Sequence, residues 1–366
     1  MQIENVIATV ENCRYCLMCR HVTPIGIVTH RETLTPHGFG LLIASVQRGL
    51  MEWDEGAVDA LYSASDGGNS RAHCVTDQPL PEAIAAVRAE LVAQQRAPAV
   101  VYQLQEAFEK WETPFAELAP RPVEGQGANA LFVGDEGPYL WSEALVAARR
   151  LLQAAGVDPV LIGMGRNNGY LASSLGLPDQ AKKLALATLE ELNTAGVSRL
   201  FVLSAGDYFT FHQLYDERLG ITWPEEVEIV ELTSLFIEQV EAGVMKFGQS
   251  ADAQAYAYVD PTHAVRVPAR HGTPRRLLEA ALPGERVELF WRQDRAHPVG
   301  STALQFTKPD IAEKLTRARL ADAEASGARL LVCEDPGTLA QLALYAGEYG
   351  LHVRCLYDVL AEQLVS

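Results

Sequence analysis

Three cysteines stand three residues apart near the start of the chain, Cys13, Cys16 and Cys19, with Pro24 following. Thiolates at that spacing let a short loop wrap three corners of an iron–sulfur cube. A cysteine at position 23 would complete a C-x2-C-x2-C-x3-C run, but that position is Thr23. The fourth ligand must then come from Cys74, Cys333 or Cys355, the other cysteines of the chain.

Cys74 fits a second frame. If it ends another run of the same spacing, the first three slots fall at Ala64, Gly67 and Ser70. Where two clusters share such a pair of runs, the fourth cysteine of each run ligates the other cluster. One cluster would take positions 13, 16, 19 and 74, all cysteine. The other would take 64, 67, 70 and 23, none of them cysteine. Random loss of half the ligands separates them so cleanly only about 2 times in 70. The frames imply one intact [4Fe-4S] site on Cys13, Cys16, Cys19 and Cys74, and one erased site. Zinc is the alternative, with His21, His73 or Cys74 as fourth ligand. Three thiolates packed so tightly suit a cube better than a zinc knuckle. Cys333 closes the apolar run Leu330-Leu331-Val332 and Cys355 lies among Val353 and Leu356, so both are expected to be core packing. Arg20, His21 and His73 adjoin the ligands and would tune the cluster or cap its surface.

The elements that must position these residues are legible in outline. Residues 1–118 are expected to be mainly helical. A turn at Thr35-Pro36-His37-Gly38 precedes helical spacing over 41–51, 55–62 and 81–94. Residues 119–129 have the composition of a linker. Beyond it runs a faint repeat. Arg149-Arg150-Leu151-Leu152 recurs as Arg275-Arg276-Leu277-Leu278. Each copy continues with a strand (159–163 and 287–291), a long helix (179–194 and 310–325), an apolar strand (200–203 and 330–332), and a closing strand and helix (227–240 and 352–365). This alternation predicts parallel α/β units. The expected architecture is α/β with an all-α N-terminal part: domains at 1–118, 130–245 and 255–366 joined by the 119–129 linker.

The 366 residues carry a net charge of −17, with 48% hydrophobic and 21% charged residues. Such acidity argues against nucleic acid and anionic membrane surfaces as partners. No signal peptide and no transmembrane segment is expected, and six cysteines in a chain this long do not make a disulfide scaffold. A reduced, cytoplasmic protein is the expectation.

Taken together, the cysteine frames and the repeat resemble the iron–sulfur subunits of glycolate oxidase and anaerobic glycerol-3-phosphate dehydrogenase, and the catalytic subunit of heterodisulfide reductase. That family pairs a helical ferredoxin domain with two copies of a cysteine-rich CCG domain. The match is good over Cys13-Arg14-Tyr15-Cys16-Leu17-Met18-Cys19-Arg20-His21 and is one of skeleton elsewhere. The family's Cys-Cys-Gly stands as Asn167-Asn168-Gly169 and its Cys-Pro-x-Cys as Ala205-Gly206-Asp207-Tyr208. In the second repeat the corresponding stretches are Asp260-Pro261-Thr262-His263, a segment near His297-Pro298, and Asp335-Pro336-Gly337-Thr338. No CCG cysteine remains, so the repeats are expected to hold no cluster and to reduce no disulfide. The resemblance implies one-electron relay through a single [4Fe-4S] cluster. The chain would act beside a flavoprotein dehydrogenase subunit that carries FAD or FMN, and pass electrons toward an electron-transferring flavoprotein or another acceptor. A scaffold subunit with a structural cluster is the alternative. An enzyme with a new site in the emptied clefts is another, drawing on scattered candidates: Asp135, Asp207, His263, His297 and Asp335. The loop Gly163–Gly169 misses the dinucleotide pattern and is expected to be a turn, as is Gly134–Pro138 rather than an anion nest. His263 and His297 together could hold a small anion, although packed or solvent-facing histidines are favoured.

Overall fold

Proline and threonine set the first helix starts. Pro24 and Pro36 open α1 (Pro24–Thr29) and α2 (Pro36–Gln47), where a missing amide hydrogen costs nothing. Thr23 and Thr35 cap them by accepting from the Gly26 and Gly38 amides. Asp54 caps α3 (Glu55–Tyr62) through the Ala57 amide. α4 (Leu80–Ala93) and α5 (Ala99–Trp111) complete the helical part. The expected helices are present with shifted ends. α5 is an addition, although Val101, Leu104 and Phe108 mark a buried stripe at helical spacing. This computed structural model describes residues 10, 13–65, 67–248, 253–267 and 270–365.

From Asn129 the periodicity changes to short apolar runs. β1 (Asn129–Phe132), β2 (Val160–Ile162), β3 (Arg199–Val202) and β4 (Glu228–Glu231) form a parallel sheet in the order β2-β1-β3-β4. Between and after these strands come α6 (Glu136–Leu140), α7 (Ser142–Ala154), α8 (Tyr170–Leu175), α9 (Pro178–Ala195), α10 (Ala205–Phe209) and α11 (Leu232–Glu241). A second parallel sheet has the order β5-β6-β7, from β5 (Tyr256–Tyr258), β6 (Leu330–Cys333) and β7 (His352–Cys355). Its helices are α12 (Thr273–Ala281), α13 (Pro309–Ala325), α14 (Pro336–Ala343) and α15 (Leu356–Gln363). The fold is thus mixed α/β with small parallel sheets. Both long helices and both closing strand–helix pairs stand where the sequence pattern puts them.

One expected strand is missing. Residues 287–291 form none; a lone bridge from Tyr256 to Arg286 is all that flanks β5 on the side where β1 has β2. The reason is local. Phe290 and Trp291 give their amide hydrogens to the Asp322 carboxylate, and Gln293 gives its own to Asp260, so no ladder can continue.

Alternation assigns the faces of the first sheet. Ala130 and Phe132 of β1, with Leu200 and Val202 of β3, join the core shared with the N-terminal helices. Leu131 and Phe201 point the other way, into the core that contains the second sheet. There α7 packs on α15, and α11 on α12. Arg88 of α4 ties the helical part to the first sheet's helices. Its buried guanidinium donates to the carbonyls of Ser174 (2.8 Å), Leu61 (2.9 Å) and Ala64 (2.9 Å), which lie at or just beyond the C-terminal ends of α8 and α3. A charge-assisted donor is well matched to such carbonyls. No helix among the described residues is long and apolar enough to cross a membrane.

Candidate functional site

The structure brings Cys13, Cys16, Cys19 and Cys74 to one cavity, 55 residues of sequence separating the last two. The coil that carries the first three turns on left-handed residues, Tyr15 (φ 53°) and Leu17 (φ 59°), each placed between successive cysteines. A short 3-10 turn, Met18–Val22, follows. Cys74 comes from the segment after the single-turn helix Asn69–Ala72. None of the four is in a disulfide; Cys16 is exposed and the others are half-buried. The sulfurs already attract donors: the Tyr15 amide lies 3.5 Å from Cys13 Sγ and the Thr76 hydroxyl 3.4 Å from Cys74 Sγ. Burial works to raise the Cys74 thiol, but hydrogen bonds from Thr76 and from the Gln78 amide outweigh it and bring it below the ordinary thiol value. Burial raises Cys19, against a hydrogen bond from the His37 amide; the other three cysteines also act on it.

Four thiols on one cavity are the donor type that an iron–sulfur cluster takes. A single tetrahedral zinc, with bonds of about 2.3 Å, draws its thiolates to about 3.8 Å from one another. A cube takes each thiolate on a different iron and needs them further apart. The rest of the cavity wall is largely apolar, with Leu17, Met18, Leu41 and Leu80 beside Arg14, His37 and Arg48. Arg20, His21 and His73 do not line it. Arg20 pairs with Glu32 on the surface and His73 Nδ1 sits 3.1 Å from the Asn69 carbonyl.

The second frame is filled by structural residues. Thr23 and Ser70 line a smaller neighbouring cavity. Ala64 is buried, and a side chain at Gly67 would run into the Asn69 carboxamide. Cys333 and Cys355 face each other in register across β6 and β7, fully buried, with burial pushing both thiols up. They are core residues.

A second cavity lies where the two sheets meet. Loops leaving the carboxyl ends of β1, β2, β3, β5 and β6 converge there. Asp135, Asp207, His263 and Asp335, far apart in sequence, all line it, and Glu136 joins them. Asn167 donates to Asp135 at 3.1 Å and Asn168 to Asp207 at 2.9 Å. Thr113 adds a donor to Asp135 at 3.0 Å. Asp335 caps α14 through the Thr338 amide, and Glu136 reaches across to accept from the Gly337 amide at 3.1 Å. Burial, opposed by these hydrogen bonds, pushes Asp135 up to about 6. Burial also pushes Asp207 up to about 7, with Asp335 and Asp135 adding to it. Glu136 is raised well above the carboxylate range by burial and by Asp335, Asp135 and Asp207. His263 is held neutral, its value lowered to about 3 by burial and by Arg266 and Arg218.

His297 is not part of this cleft. Its ring stacks on Trp291 (3.9 Å between centroids) and its Nε2 lies 3.2 Å from the Val22 carbonyl, so a joint site with His263 does not exist. The sequence reading also missed Glu136 as a partner of the three aspartates; its place directly after Asp135 in a strand-end turn was the available signal. Gly134–Pro138 is a turn into α6 as expected, but it delivers carboxylates and so makes no anion nest. Gly163–Gly169 is likewise a turn: Gly163 (φ 63°) packs against the Phe132 ring and its amide donates to Glu191.

No family model and no curated protein matches this sequence. Among solved structures the chain is similar to a hypothetical protein from Helicobacter pylori. The TM-score is 0.62 at 11% identity, over 98% of this chain and 74% of that one. At that identity the likeness is one of fold.

Proposed function

We propose that the chain is an electron-transfer subunit of a soluble, cytoplasmic, flavin-dependent oxidoreductase complex, carrying one [4Fe-4S] cluster on Cys13, Cys16, Cys19 and Cys74. In this reading it is a degenerate relative of the CCG-domain iron–sulfur subunits. It comprises a ferredoxin-like part (1–118), a linker (119–129) and two CCG-like α/β domains (130–245 and 255–366). The observation that carries the proposal is the convergence of four disulfide-free cysteines, two of them with donors at sulfur, on one cavity. The corresponding strand orders β1-β3-β4 and β5-β6-β7 of the two parallel sheets support the rest.

When bound, the cluster supplies one-electron chemistry, since four thiolates leave no position for substrate. Cys13, Cys16, Cys19 and Cys74 would hold it, with the Tyr15 amide and the Thr76 hydroxyl beside two of the cysteine sulfurs and a largely apolar wall around them. Tyr15, Met18 and Leu41 are 57%, 52% and 42% exposed at that cavity, an apolar rim suited to a flavoprotein that must approach closely. The flavin, FAD or FMN, belongs to that partner, and an electron-transferring flavoprotein or similar acceptor lies downstream.

The test is anaerobic purification or reconstitution, followed by iron and sulfide assay and electron paramagnetic resonance. About four irons and four sulfides per chain are expected. In the co-purified complex, substrate reduction of the partner's flavin should reduce the cluster at the turnover rate. A cluster that stays oxidised during full turnover would leave it structural, and a chain that takes up only zinc would end the proposal.

A further inference from the structure

We infer that the cleft between the two sheets binds a small aliphatic amine as its ammonium ion, held by Asp135, Glu136, Asp207 and Asp335 with His263 and Thr262. The site lies outside the carboxyl ends of parallel strands. In the first sheet it sits where β1 and β3 send their connections to opposite sides, the switch point at which open α/β sheets take ligands.

Two kinds of observation point to a ligand. The carboxylates gather on one cavity, Asp135 buried and the other three half-buried, and no lysine or arginine lines it. In addition, His263 and Thr262, 5% and 4% exposed, line the same cavity with His263 Nε2 and Thr262 Oγ1 making no hydrogen bond among the described residues. Buried polar atoms are ordinarily satisfied, so two such atoms beside a carboxylate cluster mark a place for a donor-bearing guest. An ammonium group brings three donors and a positive charge.

The chemistry excludes neighbouring classes. An anion would meet the carboxylates, which already occupy the amides at the start of α14, while Ser204 takes the Asp207 amide in α10. A compact metal ion would need three ligands around one point, and the described residues offer no such set. Size limits the guest as well. The cavity measures about 60 Å³, room for roughly four waters at 10–15 Å³ each. A short amine or diamine fits, whereas a nucleotide does not.

The experiment is calorimetric titration of the full chain with putrescine, its neutral isostere butane-1,4-diol, and manganese chloride. Putrescine should bind saturably at one site per chain and the diol should not. Asp207→Asn should weaken putrescine at least tenfold. Thr262→Val, which leaves every carboxylate in place, should weaken it severalfold, and it decides the matter if the aspartate variant misfolds. Equal binding of diamine and diol, affinity unchanged in both variants, no binding at all, or manganese bound in the cleft and not displaced by putrescine would each overturn the inference.

Discussion

Replacing Asp207 by asparagine should stabilise the protein, and more at pH 8 than at pH 5. Asp207 is half-buried, accepts from Asn168 and Ser204, and faces the carboxyl groups of Asp335, Asp135 and Glu136. Its folded value of about 7 stands well above the ordinary 3.8. A raised folded value means that the native state holds a proton the unfolded chain has lost. The stabilisation from that proton is complete below the unfolded value and disappears as pH rises through about 7. At about 1.4 kcal/mol per unit, forcing the charged form into the fold at pH 8 costs about 4 kcal/mol. Asparagine removes the charge and keeps the oxygen that accepts from Asn168. The altered contact with Ser204 costs about 1 kcal/mol. The expected gain at pH 8 is therefore about 3 kcal/mol, falling to under about 1 kcal/mol at pH 5. Urea denaturation of both proteins at the two pH values, in amine-free buffer, measures it. Equal effects at both pH values, or a loss at pH 8, would refute the claim that Asp207 sits half-buried among carboxyl groups.

Other outcomes follow from the same geometry. Cys74→Ser should lose the cluster or convert it to a three-iron form, read by iron content and paramagnetic resonance; unchanged iron would break the crossed-frame assignment. Alanine at both Cys333 and Cys355 should cost about 1–3 kcal/mol in cavity formation and leave iron content untouched. Arg270 is 3% exposed and joins Glu231, at the end of β4, to Glu334, just after β6, at 2.6 Å each. Arg270→Met should cost about 3–5 kcal/mol at pH 8 by stranding two buried carboxylates. That cost should shrink at pH 5, because burial raises Glu231 and favours its neutral form, as paired melts at the two pH values would show.

Local chemistry explains what the sequence determined by itself. Helix caps at Thr23, Thr35 and Asp54, proline at helix starts, and period-two apolar runs depend on neighbours a few residues away, so the helices and most of the strands are legible in the chain. Ligand spacing is also local, which is why Cys13, Cys16 and Cys19 stand out as candidate ligands, and the crossed frame adds Cys74, which the structure brings to the same cavity. The strand expected at 287–291 failed because the amides at its end are taken by Asp322, a side chain roughly 30 positions away whose approach no local pattern encodes. The acid cleft is tertiary in the same sense. Asp135, Asp207, His263 and Asp335 are separated by dozens of residues and read as scattered polar positions. They meet only because parallel strands in two sheets all release their loops at the carboxyl end, and that convergence, together with the burial it imposes, decides which carboxyl groups are pushed toward their neutral forms.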